Sequence, residues 1–387
     1  MAKKVINILG VTGSVGQSAA KVIAAHPDQF EVGVITAYNN WELLKKTAEI
    51  LQPRIVVIGN SDYRDDLVAD LSYMDVEIHT GRAAILETAA SPADVTLAAI
   101  VGMQGLEPLL AALPHSKALA IANKEPLVSA GHLVVDLARR HGTKLLPVDS
   151  EHNAIFQVFE EENWKAVDSL VLTASGGPFR TFSIEQMQNI TPAQAVKHPN
   201  WSMGQKISVD SATMMNKALE VIEASILFDM PVEKIDVLVH PQSIIHSMVS
   251  YNDGSVLAQL GAPDMCTPII NALSWPDRLA TPGERLDLKT LSRLEFEEPD
   301  FERFPALKLG YDALKEGQAA CLILNAANEV AVDAFLSGAI SFLDVCAVCA
   351  DVLGQIDRQK IETLEEILDF DKNVRQNAKS VILETYS

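Results

Sequence analysis

Residues 5–25 read VINILGVTGSVGQSAAKVIAA, and the architecture of the first part of the chain follows from them. A strand-length apolar run, Val5–Leu9, leads directly into a loop with glycines at positions 10, 13 and 16, and a helical segment follows. Glycines at such a turn let the backbone approach a pyrophosphate, and the helix start offers N–H groups and the positive end of its dipole. The pattern predicts a dinucleotide-binding loop; the alternative is a glycine turn that only connects two elements.

The alternation of strand and helix continues to about residue 149. Apolar runs of strand length recur at Val32–Ile35, Ile55–Ile58, Val95–Ala99, Ala118–Ala122 and Lys144–Val148. Amphipathic helical segments lie between them, at Gln17–Ala25, Trp41–Leu51 and Gly131–His141. Strands that alternate with helices predict a parallel sheet covered on both faces.

The pattern changes after the first part of the chain. Strand-like runs occur at Val167–Thr173, Ile235–Val239, Ser243–Ser250 and Ser255–Leu260, and one clear helix occurs at Ala212–Phe228. The turn signal Tyr251–Gly254 predicts a hairpin, so we expect an antiparallel or mixed sheet. Residues 304–387 predict four or five helices. The expected fold class is α/β, with a Rossmann-type domain (1–149), a central α+β catalytic domain (150–275), a linker (276–301) and a C-terminal helical bundle (302–387).

Composition excludes several classes of protein. Of 387 residues 48% are hydrophobic, which excludes an intrinsically disordered chain, and the formal net charge of −20 argues against a binder of nucleic acid or acidic membranes. No apolar run approaches the ~18–20 residues that cross a bilayer, and no signal peptide is apparent, so we expect a cytoplasmic protein. Cys346 and Cys349 spell C-x-x-C within an apolar helical run, and we interpret them as small core residues rather than a metal or redox site.

Polar residues follow three of the predicted strands. Asn123, Lys124 and Glu125 follow one strand, and Asp149 to Glu151 follow the next, at the sheet edge where α/β proteins bind ligands. If strand geometry continues, both carboxylates point to one side, an arrangement that suits Mg²⁺ or Mn²⁺; a solvated acidic loop is the alternative. Residues 36–40, TAYNN, contain no acidic residue that would accept from a ribose 2′-hydroxyl, which favours NADP over NAD.

Three later segments carry further candidate groups. The turn after Ser175 contains two glycines and predicts an oxyanion nest. The loop 197–204, KHPNWSMG, is either a lid that closes over a ligand or a loop whose Trp packs permanently into the core. Asn216 and Lys217 share one helix face with Glu220, with Ser211 expected near the positive end of the same helix; a surface ion pair is the simplest alternative.

These segments together resemble one family. GVTGSVG, ANKE, LPVDSEHNAIFQ, SGGPFR, KHPNWSMG, VDSATMMNKALE, HPQSIIHSMV and LNAANEVAV occur here in the order found in the 1-deoxy-D-xylulose 5-phosphate reductoisomerase family. The resemblance runs from about Val5 to the C-terminus. It implies a metal-dependent rearrangement of 1-deoxy-D-xylulose 5-phosphate followed by NADPH reduction to 2-C-methyl-D-erythritol 4-phosphate, in non-mevalonate isoprenoid biosynthesis, by a homodimeric enzyme.

The resemblance also implies a role for each matching residue. The expected NADPH contacts are Thr12, Gly13, Ser14, Val15, Ala37, Tyr38, Asn39, Asn123, Glu125 and Gly204. The expected ligands of Mg²⁺ or Mn²⁺, with Co²⁺ as a further candidate, are Asp149, Glu151 and Glu220, which with Lys124 form the catalytic set. The expected substrate contacts are Lys124, Ser150, Glu151, Ser175, His198, Trp201, Met203, Ser211, Asn216, Lys217 and Glu220. Ser175, Ser211, Asn216 and Lys217 are expected to surround the phosphate.

Three positions depart from the family pattern. Tyr38 stands where a basic residue is usual near the adenosine 2′-phosphate, Ala218 replaces a helical Gly, and Gln205 stands where Arg is common after the lid. Two other functions remain open at this point. An NADP-dependent aldehyde or semialdehyde dehydrogenase would need no metal, and a non-catalytic dinucleotide sensor would need neither a metal nor a phosphate site.

Overall fold

A computed structural model describes residues 2–197, 201 and 203–386. Its contacts divide the chain into two compact units, each built from three segments. Unit 1 comprises Met1–Pro126, Val134–Phe156 and Asp264–Arg285. Unit 2 comprises Leu127–Leu133, Gln157–Pro263 and Leu286–Ser387. The four-part division expected from the sequence is drawn along different boundaries and stays a prediction.

Unit 1 is built on a parallel sheet. Its strands are β1 (Lys4–Leu9), β2 (Phe30–Ala37), β3 (Ile55–Ile58), β4 (Glu77–Thr80), β5 (Ala93–Ala98), β6 (Ser116–Ile121) and β7 (Lys144–Pro147). The order is β4-β3-β2-β1-β5-β6-β7, and all neighbouring strands run parallel, which confirms the predicted Rossmann-type sheet. The order reverses between β1 and β5, so the loops after these strands border the point where such sheets bind ligands.

Helices alternate with these strands along the chain. They are α1 (Ser14–Ala24), α2 (Trp41–Leu51), α3 (Arg64–Asp70), α4 (Arg82–Ala89), α5 (Leu106–Ala112), α6 (Glu125–His141) and α7 (Ser150–Val158). The core of the unit is formed by strand residues such as Ile6, Ile35 and Leu97. β4 was not predicted, because it is an edge strand in which exposed Glu77 and His79 alternate with half-buried residues, so it contains no apolar run.

Unit 2 contains the second sheet. Its strands are β8 (Val167–Ala174), β9 (Ile235–Val239), β10 (Ile245–Tyr251) and β11 (Val256–Leu260), in the order β11-β10-β8-β9. β8 and β9 are parallel and the other pairs antiparallel, so the sheet is mixed and the predicted β10–β11 hairpin is confirmed. The next helices along the chain are α8 (Ile184–Met187), α9 (Pro192–Ala195), α10 (Gln205–Ala212), α11 (Met215–Phe228) and α12 (Cys266–Ser274). By its residue range α12 belongs to unit 1, where it packs on α1 and β7.

The helix expected over Ala212–Phe228 is wrong at its start. Residue 212 ends α10, Met214 adopts a left-handed conformation with φ of 64°, and α11 begins at Met215. A left-handed residue ends a helix and turns the chain. Glycine is the usual sequence signal for such a position, and methionine is not. Ser211 therefore lies in the last turn of α10, near its negative end, and not at the positive end of a helix as predicted.

Four helices complete unit 2, as the sequence predicted. They are α13 (Ala306–Glu316), α14 (Gln318–Leu336), α15 (Asp344–Gln355) and α16 (Leu364–Val381). By length and composition α14 is apolar enough to cross a membrane, although Asn325, Asn328, Glu329 and Asp333 interrupt its apolar run. In the structure 78% of the relevant window is buried inside the protein, as in a core helix. Cys346 and Cys349 are buried on α15, which confirms their interpretation as core residues, and burial raises the pKa of Cys346 to about 12.

Candidate active site

The glycine loop joins β1 to α1 at the switch point of the first sheet. Gly10 has φ of +90°, and a Cβ there would lie 2.6 Å from the carbonyl oxygen of Ala99 at the end of β5. A Cβ on Gly16 would lie 2.5 Å from the carbonyl oxygen of Gly10, so the helix packs directly on the loop. Gly13 occupies the N-cap of α1 and offers no side-chain cap, which leaves backbone N–H groups at this end for an anion. Thr12, Ser14 and Val15 flank this position.

A small apolar recess lies beside the loop. Leu9, Ala98, Ile100, Leu109 and Pro126 line it, together with Gly105 and Asn123. Asn123 follows β6, and its Nδ2 is buried without a hydrogen-bond partner among the described residues. An unpartnered buried amide is costly, so an acceptor on a ligand would stabilise it.

The end of β2 lies next to the glycine loop, since β2 pairs with β1 in the sheet. Ala37 is the last, buried residue of β2, whereas the ring of Tyr38 is 55% exposed. That ring lies over the next strand end, because a Cβ on Gly59 would be 2.4 Å from Tyr38 Cδ2. Asn39 Oδ1 accepts a hydrogen bond of 3.3 Å from Asn60 Nδ2. These contacts join the loops after β2 and β3 into one polar rim.

Two neighbouring strands place a lysine against a carboxylate. Lys124 follows β6 and Asp149 follows β7, and Nζ of the lysine lies 2.6 Å from Oδ2 of the aspartate. Both side chains are largely buried, at 6% and 16% exposure. Such a pair persists in a low-dielectric site because each charge compensates the other. The structure thus brings together two of the predicted catalytic groups of unit 1.

The predicted reason for placing Asp149 beside Glu151 is wrong. Strand geometry ends at Pro147, and α7 begins at Ser150, with the carbonyl of Asp149 accepting from the N–H of Asn153 at 2.8 Å. Glu151 therefore lies in the first turn of a helix, where the dipole favours a carboxylate. Ser150 Oγ donates to Glu151 Oε2 at 2.6 Å and orients it.

In unit 2 two serine segments meet. Ser175 follows β8, and its Oγ accepts from the N–H of Gly177 at 3.2 Å. Gly176 and Gly177 both have positive φ, and a Cβ on Gly177 would lie 2.6 Å from the carbonyl oxygen of Ser211. Only glycine allows this approach, so the turn after β8 is seated on the end of α10.

The polar cluster on α11 is buried. Asn216 Nδ2 and Lys217 Nζ donate to the two carboxylate oxygens of Glu220. Glu220 is fully buried and Lys217 is 3% exposed, so the alternative of a surface ion pair is wrong. The shared helix face predicted from the i,i+3 and i,i+4 spacing is confirmed.

The segment before α10 is described only in part. His198 lies outside the described residues. Trp201 and Met203 are half-buried and Gly204 is exposed at the N-cap of α10. The Trp201 ring centroid lies 6.3 Å from that of His246, a 7% exposed residue of β10 that was not among the predicted site residues. Its only local signal is a polar residue at an inward position of a strand.

Comparison with known proteins identifies the family. A model described as 1-deoxy-D-xylulose 5-phosphate reductoisomerase matches residues 6–131, and models of its C-terminal domains match residues 145–228 and 260–377. A reductoisomerase of Rhodospirillum centenum is 52% identical over 97% of this chain and 94% of its own length. The chain belongs to the 1-deoxy-D-xylulose 5-phosphate reductoisomerase family.

Other members of the reductoisomerase family agree over nearly the whole chain. The protein of Geobacter metallireducens is 50% identical over 98% of this chain and 99% of its own length. The Zymomonas mobilis reductoisomerase, solved in complex with NADPH, has a TM-score of 0.94 at 46% identity and covers 99% of this chain and 100% of its own. A reductoisomerase solved with NADPH, fosmidomycin and magnesium has a TM-score of 0.92 at 41% identity, with coverage of 99% and 100%.

Proposed function

We propose that the chain catalyses the NADPH- and divalent-cation-dependent rearrangement and reduction of 1-deoxy-D-xylulose 5-phosphate to 2-C-methyl-D-erythritol 4-phosphate, a step of non-mevalonate isoprenoid biosynthesis. The observation that carries the proposal is the 52% identity to a reductoisomerase over 97% of the chain. It acts as an oxidoreductase with isomerase activity. The cytoplasm as its location stays a prediction from the sequence.

NADPH is the proposed hydride donor. The glycine loop, with Thr12, Gly13, Ser14 and Val15, binds its pyrophosphate through backbone N–H groups. Asn123 and Glu125 contact the nicotinamide end, where the buried Nδ2 of Asn123 has an amide acceptor to bind. The adenosine end lies against the exposed rim after β2. The remaining proposed contacts at that end and at the lid are Ala37, Tyr38, Asn39 and Gly204.

A divalent cation is the second proposed cofactor. Asp149, Glu151 and Glu220 are its ligands, since hard oxygen donors suit Mg²⁺ or Mn²⁺, with Co²⁺ as a further candidate. When bound, the cation polarises the substrate carbonyl and acidifies its hydroxyl groups. Lys124, next to Asp149, supplies a fixed positive charge or a proton to the reacting oxygen atoms.

The phosphate of the substrate binds to residues of unit 2. Ser175 and Ser211 offer hydroxyl groups, Asn216 an amide, and Lys217 a buried ammonium group. Binding energy from this remote group orients the reacting carbons. The other proposed substrate contacts are Lys124, Ser150, Glu151, His198, Trp201, Met203 and Glu220. Addition of the phosphonate fosmidomycin should therefore change the fluorescence of Trp201.

One assay separates this function from the two alternatives. NADPH oxidation is followed on addition of 1-deoxy-D-xylulose 5-phosphate, with and without EDTA, and the product is identified by mass spectrometry. We expect turnover that EDTA abolishes and excess Mg²⁺ restores. Turnover that survives EDTA would favour a metal-independent dehydrogenase, and NADPH binding without any turnover would favour a sensor.

The protein also forms a homodimer in this proposal. β11 is an edge strand of the second sheet, and it exposes Val256, Leu257 and Leu260 at 55%, 40% and 38%. An apolar edge strand is a template for pairing with another chain. Sedimentation should give a dimer that Leu257→Lys with Val256→Lys dissociates, whereas Ile184→Lys, at a 45% exposed site off the sheet, does not. A monomeric wild-type protein at micromolar concentration would contradict the proposal.

A further inference from the structure

α10 connects several of the residues that are proposed to bind the substrate's phosphate. It begins directly after Gly204, and the carbonyl of Gly204 accepts from both the N–H and the Oγ of Ser208. It ends at Ala212, and the carbonyl of Ser211 in its last turn lies against Gly177. The left-handed Met214 then leads into α11, which carries Asn216 and Lys217. Any shift of α10 along its axis would displace the groups at both of its ends.

Little apolar surface holds this helix in place. Its sequence is QKISVDSA, and only Val209 and Ala212 among its buried residues are apolar. The remaining buried residues are Ser208 and Asp210, and Asp210 is 1% exposed. A buried carboxylate is costly unless both of its oxygens are paired. The contacts of Asp210 therefore decide where α10 lies.

Two groups hold the carboxylate of Asp210 from opposite elements. Lys206 Nζ, one turn earlier on α10, lies 2.7 Å from Oδ2. Asn328 Nδ2, on α14 of the helical bundle, donates to Oδ1 at 2.8 Å. Asn328 is fully buried, and its own Oδ1 has no hydrogen-bond partner among the described residues. Among the described residues, its side-chain amide is therefore engaged by the hydrogen bond that joins α14 to α10.

A polar clamp of this kind fixes a register that apolar contacts would leave adjustable. Apolar side chains repack with small shifts, whereas a hydrogen bond to a buried charge loses most of its value when its geometry changes. Breaking it leaves a buried charge less compensated, so the clamped position is strongly preferred. The clamp acts on the residue directly before Ser211.

We propose that Asp210, clamped between Lys206 and Asn328, is a positioning residue for the substrate's phosphate: it locks α10 to the helical bundle so that Ser211, and beyond it Asn216 and Lys217, stand at fixed places. The inference rests on the proposed function, since those three residues are phosphate contacts there. Asp210 itself touches neither substrate nor cofactor in this proposal.

Asn325 provides a matched control for Asn328. It is the same residue type on the same helix and is equally buried, but its Nδ2 donates to Ser129 Oγ and Glu329 Oε1 rather than to α10. Asn328→Ala and Asn325→Ala should therefore lower the melting temperature by similar amounts. Only the first should loosen the phosphate site.

The test measures KM for 1-deoxy-D-xylulose 5-phosphate, kcat, KM for NADPH and the inhibition constant of inorganic phosphate in the full-length enzyme. Asn328→Ala and the isosteric Asp210→Asn should raise the substrate KM and the phosphate inhibition constant by about tenfold, with kcat changed by less than about threefold and the NADPH KM unchanged. Asn325→Ala should change the substrate KM by less than about twofold. The double variant of Asp210→Asn and Asn328→Ala should show less than the product of the two single effects.

The outcomes separate this inference from the function on which it rests. Ser211→Ala is assayed in parallel, and an unchanged substrate KM there would overturn the phosphate assignment and this inference with it. A raised KM for Ser211→Ala beside an unchanged KM for Asn328→Ala and Asp210→Asn would overturn the positioning role alone. Equal KM effects of Asn328→Ala and Asn325→Ala would do the same, because they would reflect general destabilisation.

Discussion

The ammonium Nζ of Lys124 lies 2.6 Å from the carboxylate Oδ2 of Asp149. The two residues follow β6 and β7, which pair in parallel with Ile121 opposite Pro147, so the contact is a consequence of adjacent strand ends. In this arrangement the lysine compensates a carboxylate that is also a proposed ligand of a divalent cation. A cation that binds Asp149 must therefore compete with Lys124 for it.

Removal of that competition should strengthen cation binding. In Lys124→Gln we expect Mn²⁺ to bind cofactor-free protein about fivefold more tightly, the equivalent of ~1 kcal/mol, because a neighbouring positive charge is lost. Turnover should fall in the same variant, since the charge is also lost from the reaction site. Electron paramagnetic resonance of free Mn²⁺ measures the affinity independently of activity.

Lys117→Gln is the control for this measurement. Lys117 lies on β6 and pairs with Asp94 at 2.7 Å, but its side chain is 82% exposed. It should leave both Mn²⁺ affinity and turnover unchanged. Weaker Mn²⁺ binding in Lys124→Gln would show that the lysine orients Asp149 for the cation rather than competing with it.

Glu220→Gln should separate folding from catalysis. The amide keeps the size of the side chain and still accepts the hydrogen bond from Asn216, but it removes one charge from the proposed cation ligands and leaves the ammonium of Lys217 less compensated. We expect kcat/KM to fall by about 100-fold or more, ~2.7 kcal/mol, with NADPH binding unchanged. Glu233→Gln, an exposed carboxylate before β9, should behave as wild type. Near-normal turnover of Glu220→Gln at saturating Mg²⁺ would show that Glu220 is not a ligand of the cation and serves only as the ion-pair partner of Lys217.

The cysteines should be inert in the folded protein. Burial raises the pKa of Cys321 and of Cys346 to about 12, and raises that of Cys349 well above its ordinary value. Burial and a hydrogen bond to Asp264 raise the pKa of Cys266 to about 11. At pH 8 almost no thiolate is present, and thiolate is the reactive form. Ellman's reagent should detect no thiol in native protein and all four after unfolding in urea without reductant. Fewer than four after unfolding would indicate a disulfide.

Local sequence pattern predicted the parts of the site that one strand end or one helix face carries. The glycine loop after β1 and the polar residues after β6 and β7 follow from their positions directly after strands. The shared face of Asn216, Lys217 and Glu220 follows from the i,i+3 and i,i+4 spacing. These are also the segments on which the family resemblance rests.

Three features could not be predicted from the sequence, because each depends on residues that are distant along the chain or on a residue type that gives no local signal. The break between α10 and α11 depends on the left-handed Met214, a residue type that rarely marks a helix end. Asp210 and Asn328 are 118 positions apart, and nothing near either residue indicates the other. β4 is an edge strand whose polar side chains face solvent, so burial never imposed an apolar pattern on it.

Tyr38 should determine how strongly the enzyme prefers NADPH to NADH. Its ring is 55% exposed over Gly59, at the rim formed by the loops after β2 and β3. The backbone there is fixed, because the carbonyl of Tyr38 accepts from the N–H of Asn60 at 2.8 Å, so a substitution changes the side chain and not the loop. The rim can donate hydrogen bonds to a 2′-phosphate from a hydroxyl group and from amide groups. Position 38 itself carries no lysine or arginine.

A charge-assisted hydrogen bond to phosphate contributes on the order of 1.5–3 kcal/mol, so the preference for NADPH should be smaller here than in relatives with a basic residue at this position. Tyr38→Lys should increase the preference. Tyr38→Asp should shift it toward NADH, because a carboxylate repels the 2′-phosphate and accepts from a free ribose hydroxyl. The measurement is kcat/KM for both cofactors in the three proteins at fixed ionic strength. A ratio that moves by less than about twofold in both variants, ~0.4 kcal/mol, would show that residue 38 does not face the 2′-phosphate.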